Sequence, residues 1–111
     1  MNSPTERREA LYHALESRIL VLDGAMGTML QERHLTAEDF GGAALEGCNE
    51  NLVKTRPDVV LDIHREYFKS GSDIVETNSF GGARVVLAEY HLEDQAYELN
   101  YAAAKLALSA R

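Results

Sequence analysis

The run Ile19-Leu20-Val21-Leu22, ending in Asp23-Gly24, constrains this chain more than any other stretch. Successive branched apolar residues suit a strand buried on both faces, as strands of parallel sheets are. The acid then stands at the strand's C-terminal end. Gly24 and Gly27 let the chain turn sharply and leave backbone N–H groups uncovered. Parallel α/β folds build their sites at that end of the strands. A second stretch has the same form: Asp73-Ile74-Val75 runs into Glu76-Thr77-Asn78-Ser79-Phe80-Gly81-Gly82. Two strands thus deliver polar residues to one rim.

The connection between them contains a helix. Thr55-Arg56-Pro57-Asp58 reads as a helix start, Val60, Ile63 and Tyr67 form an apolar stripe with Phe68 beside it, and Gly71 ends the helix near Ser70. Strand, helix and strand make a βαβ unit, so the two strands should be parallel neighbours. Upstream, Ser3-Pro4-Thr5-Glu6 predicts an N-cap, a first-turn proline and a capping box, opening a helix from about Pro4 to Ser17. Thr28 to Arg33 suits a short helix. Residues 34–51, rich in Gly and Asn, read as a loop, and one this long is often functional. Downstream, Ala83 to Glu89 reads as helix, His91-Leu92 as a bend, and Ala96, Leu99, Ala103 and Leu106 as one face of a last helix.

That last helix should feed a third strand, and the chain stops there. Two strands cannot close a barrel and make a poor open sheet. The sequence therefore reads as α/β, the opening of a larger parallel domain. Residues 1–18 form an N-terminal helix, and residues 19–111 the first βα units.

Composition narrows the partners. A net charge of −7 over 111 residues disfavours nucleic-acid phosphates and anionic lipid. No apolar run approaches the roughly 20 residues that span a bilayer. The N-terminus lacks the apolar core of a secretory signal, and the single cysteine makes no internal disulfide, so the expected compartment is the cytoplasm.

At the rim, Asp23 can cap the turn that follows it or point into a pocket to hold a cation. The Gly24 and Ala25 amides could take an anion, so acid and amides together match a zwitterion such as an amino acid. Glu76, Thr77 and Asn78 either line the same pocket or tie neighbouring loops together. Cys48 has no Cys or His at metal-ligand spacing and reads as a structural thiol, so no metal ligand and no catalytic residue is assigned. His13, His34, His64 and His91 are scattered and read as surface or boundary residues. The Gly47 to Thr55 stretch has Val53 where a phosphate loop needs glycine.

Three stretches, Ile19–Gln31 (ILVLDGAMGTMLQ), Asn49–Thr55 (NENLVKT) with Arg56-Pro57, and Ile63–Gly82 (IHREYFKSGSDIVETNSFGG), resemble the homocysteine-binding barrel of the cobalamin-dependent methionine synthases. Tyr97–Ala107 (YELNYAAAKLA) extends the likeness, which runs from Ile19 to the end. The resemblance implies the N-terminal portion of a (β/α)8 TIM barrel, of which this chain holds well under half the roughly 250 residues typical. It implies a methyltransferase in which Asp23 holds the homocysteine ammonium, the Gly24 and Ala25 amides its carboxylate, and Glu76, Thr77 and Asn78 line the pocket. Zinc in that family is held by three cysteines on segments absent here, and it makes the substrate thiol a thiolate. The methyl group comes from methylcobalamin, regenerated from 5-methyltetrahydrofolate by further domains. The chain alone is then expected to be inactive and to bind no cofactor with its own residues. A homocysteine methyltransferase using another donor, such as S-methylmethionine, and a non-catalytic binding module are the competing readings.

Overall fold

The computed structural model describes residues 3–111. Seven α-helices, joined by short 3-10 turns, account for most of the regular structure. The first, α1 (Pro4–Ser17), begins where Ser3 caps it: the Ser3 hydroxyl accepts the Glu6 N–H at 3.2 Å. The return arm of the capping box differs from expectation, because the Glu6 carboxylate accepts the Ser3 hydroxyl at 3.1 Å rather than the backbone N–H. No residue of α1 is buried.

The predicted parallel pairing is present as a single bridge, Leu22 with Ile74. Ile74 N–H donates to Val21 C=O at 3.2 Å, and Asp23 N–H donates to Ile74 C=O at 2.9 Å. Asp73 reinforces one end of the bridge: its carboxylate accepts the Val21 N–H at 2.9 Å and the Arg18 guanidinium at 2.8 Å. The Arg18 bond and the Val21 N–H hold the Asp73 carboxyl below the usual carboxylate range. A regular parallel ladder would next pair the Glu76 N–H with the Asp23 carbonyl. Here the Asp23 side chain takes that N–H, and the ladder ends. Burial also departs from expectation. Ile19 is 88% exposed and Leu22 54%. A strand of a parallel sheet is covered on both faces, and what would cover these residues is not among those described.

The helices pack around α5 (Pro57–Lys69), whose N-terminal proline and closing glycine, Gly71 at φ +112, match the sequence signals. Val60 and Ile63 are fully buried in a cluster with Leu30, Phe40, Leu52 and Val59. Leu30 comes from α2 (Gly27–Gln31) and Leu52 from α4 (Leu52–Thr55). A second cluster joins Cys48 and Val53 to Leu87 of α6 (Arg84–Leu87), Leu92, and Leu99 and Ala103 of α7 (Ala96–Ser109). Leu106 of α7 packs against both clusters. His91, at φ +59, makes the expected bend between α6 and α7. A radius of gyration of 15.3 Å exceeds the roughly 13 Å of a sphere-like chain this long.

Two further expectations need correction. Residues 34–51 are not a plain loop: they contain α3 (Ala37–Phe40) and two 3-10 turns, Ala43–Leu45 and Asn49–Asn51. Thr36 and Asp39 form a full capping box, Phe40 is buried, and Gly41 closes α3 at φ +111. His64 is not a boundary residue. It lies on the inner face of α5, fully buried, one residue after Ile63. The other three histidines are exposed, as expected.

Candidate substrate-binding site

A cavity of about 400 Å³ opens at the C-terminal end of the Leu22–Ile74 bridge. Asp23, Gly24, Ala25, Glu76, Thr77 and Asn78 all line it. The pairing explains the convergence: one bridge places both polar stretches on the same rim.

Asp23 is half-buried, and each of its carboxylate oxygens lies 3.2 Å from the Glu76 N–H. One bifurcated donor leaves most of the carboxylate's acceptor capacity free. No acceptor among the described residues takes the Gly24 or Ala25 N–H. These amides therefore stand as free donors next to a carboxylate. The turn that carries them is pinned from below, where the Tyr67 hydroxyl of α5 donates to the Ala25 carbonyl at 2.6 Å.

The second rim is more tightly tied than the sequence suggests. Asn78 is 5% exposed, and its amide N–H donates to the Asn49 carbonyl at 2.9 Å. That side chain joins two loops, with its carbonyl oxygen left over as an acceptor. The Thr77 and Ser79 hydroxyls share a hydrogen bond of 2.6 Å. Gly82 has no room for a side chain, since a Cβ would lie 2.9 Å from the Ser79 carbonyl oxygen. Glu76 and Thr77 are exposed to the cavity mouth, and Phe80 stands fully in solvent beside it.

Sequence reasoning missed Asn49 and Glu50, which line the same cavity. The asparagine-rich stretch was visible as a loop, but nothing in its composition showed that it folds over the rim. Asn51 anchors it: its buried amide donates to the Phe40 carbonyl at 2.8 Å. Cys48 sits in this segment, buried, and burial pushes its thiol up. His64 lies under the site with neither ring nitrogen hydrogen-bonded, and burial pulls it down, partly offset by the Asp23 charge. Among the described residues no group of three His, Cys, Asp or Glu side chains is arranged to hold a metal ion. These residues do not fit a zinc centre.

Residues 20–111 match the model of a protein family described as homocysteine S-methyltransferase. The chain belongs to that family. It is 51% identical over 90 residues to the protein named methionine synthase in Mycobacterium leprae (strain TN), an alignment covering 81% of this chain. The same identity and coverage hold for methionine synthase of Mycobacterium tuberculosis (strain ATCC 25618 / H37Rv). The resemblance seen in ILVLDGAMGTMLQ and ETNSFGG is thus to methionine synthases in particular. The chain spans 7% of the length of each of these relatives. No helix among the described residues is long and apolar enough to cross a membrane.

Proposed function

We propose that this chain is the substrate-binding front of a homocysteine-binding (β/α)8 barrel, acting within a methionine synthase in the cytoplasm. The observation that carries the reading is the pairing in one cavity of a half-free carboxylate, Asp23, with the unclaimed amides of Gly24 and Ala25. Homocysteine carries an ammonium and a carboxylate on one carbon. Asp23 takes the ammonium as a charge-assisted acceptor, and the two amides take the carboxylate. The exposed Glu76 and Thr77 and the free Asn78 oxygen border the bound amino acid. Binding and orienting the substrate is this chain's share of the chemistry.

The rest of the reaction lies beyond these residues. The methyl donor is methylcobalamin, recharged from 5-methyltetrahydrofolate, and zinc activates the thiol. All three would be held by parts of the polypeptide other than residues 3–111, and the isolated chain would not turn over.

The test uses the polypeptide translated from the complete reading frame. Replacing Asp23→Asn removes the charge while keeping the shape. Hydrogen bonds to charged groups contribute about 1.5–3 kcal/mol, so the KM for homocysteine should rise about 10- to 100-fold. The analogue 4-mercaptobutanoate lacks the ammonium, and it should be used equally poorly by both proteins. An unchanged homocysteine KM in Asp23→Asn would refute the assignment. Methyl transfer from S-methylmethionine without cobalamin would refute the donor.

A further inference from the structure

The asparagine-rich segment does more than border the cavity. Rim residues 77–82 make only local backbone hydrogen bonds, Ser79 N–H to Thr77 C=O at 2.8 Å and Gly82 N–H to Ser79 C=O at 2.9 Å. Among the described residues, three side-chain bonds tie the rim to the rest of the molecule. Asn100 of α7 donates to the Gly82 carbonyl at 2.9 Å. The other two come from one short segment: Asn49 C=O accepts the Asn78 amide, and a Glu50 carboxylate oxygen accepts the Gly81 N–H at 3.0 Å. A Cβ on Gly81 would lie 3.1–3.2 Å from the Glu50 carboxyl atoms, so the carboxylate rests directly on the Gly81 backbone. Glu50 makes no ion pair among the described residues; its nearest other partner is the Cys48 thiol at 4.0 Å. The segment itself is fixed, through the buried Asn51 amide and the Phe40 carbonyl. A rigid strut therefore meets a rim that has little else to hold it.

We propose that Glu50 is a positioning residue for substrate binding: as a hydrogen-bond acceptor it clamps the Asn78–Gly82 rim in the place where the rim borders homocysteine. The inference rests on the homocysteine reading of the cavity. The acceptor oxygen is what matters, since the bond to Gly81 N–H needs no negative charge.

The experiment compares Glu50→Ala with Glu50→Gln in the polypeptide translated from the complete reading frame. Glu50→Ala should raise the homocysteine KM about tenfold with little change in kcat, the loss of one well-placed hydrogen bond. Glu50→Gln keeps an acceptor oxygen and should stay within about threefold of the original protein. If Glu50→Gln fails as fully as Glu50→Ala, Glu50 acts by its charge and the proposal is overturned. If Glu50→Ala leaves KM unchanged while Asp23→Asn raises it, the clamp fails and the homocysteine reading stands. If neither variant alters KM, the homocysteine reading fails. Amide hydrogen exchange at Gly81 then decides the clamp separately, and in any variant that does not fold. In the unaltered protein the Gly81 N–H should be protected relative to the Phe80 N–H. Equal, fast exchange at both overturns the clamp.

Discussion

Tyr67→Phe isolates the contact that joins the site to the core. Tyr67 lies on α5, one turn after Ile63, half-buried against the cluster that contains Ile63, Val60 and Leu52. Its hydroxyl donates to Ala25 C=O at 2.6 Å across 42 residues of sequence. The substitution removes that hydrogen bond and keeps the ring, so packing is unchanged. A net intramolecular hydrogen bond contributes about 0.5–1.5 kcal/mol. Ala25 is exposed, so water can hydrate the freed carbonyl and no buried polar group is stranded. The lower half of the range applies, about 0.5–1 kcal/mol. With a urea dependence of about 1–2 kcal/mol per molar, the unfolding midpoint should fall by about 0.5 M. Far-UV circular dichroism follows it directly, because the regular structure is helical. Gly24→Ala is the matched control: its Cβ would meet the Tyr67 hydroxyl at 3.4 Å, an ordinary contact, and alanine restricts the unfolded chain, so the midpoint should hold or rise. If Tyr67→Phe leaves the midpoint where it was, the Asp23–Ala25 turn is not pinned by α5. The reasoning that makes α5 the foundation of the site would then fail.

Two further perturbations test the interior. Ile63→Ala removes a fully buried side chain from the main cluster and should cost about 2–5 kcal/mol, a large part of a typical domain's total, so that the cooperative thermal transition by circular dichroism is lost or falls steeply. His64 titrates lower in the folded chain because burial penalises its charged form. The unfolded chain therefore binds that proton first. Stability should hold above about pH 6.5 and fall as the pH drops below it, levelling off beneath the folded value. Asp39 and Asp73, both held below the usual carboxylate range, lose their contributions in a separate window below about pH 4. Urea midpoints between pH 7.5 and 5 check the His64 window, where His64→Leu should remove the slope, and midpoints below pH 4 check the carboxylate window.

Local rules were legible where one residue settles one geometry. Ser3 and Pro4 start α1, Pro57 and Gly71 bound α5, and the period of Leu99 and Ala103 marks the inner face of α7. The six rim residues were legible for a different reason. An acid or a polar triplet ending an apolar run must lie at a strand end, and parallel pairing brings such ends together. What stayed hidden depends on long-range contact. The capping box of Thr36 and Asp39 was present in the sequence, but the surrounding glycines masked it as a loop. The place of Glu50 rests on a hydrogen bond to a backbone N–H 31 residues away, which no local pattern encodes. His64 looked polar and peripheral because its type usually is, yet its spacing from Val60 and Tyr67 puts it on the buried stripe.

The exposure of the bridge and the order of the site have one physical explanation. In a closed parallel sheet, neighbouring strands and outer helices hold each strand end in place. Among the described residues Leu22 and Ile74 pair only with each other, and Val21 and Leu22 remain more than half exposed. The site nevertheless keeps its shape, because side chains replace the missing ladder. Asp23 takes the Glu76 N–H, Asp73 takes the Val21 N–H, Tyr67 holds Ala25, and Glu50 holds Gly81. Each of these bonds joins a rim or a strand end to a different element. The apolar faces of Ile19, Val21 and Leu22 are what the proposed remainder of the barrel would cover. That burial would add stability to the bridge without moving the residues that line the cavity.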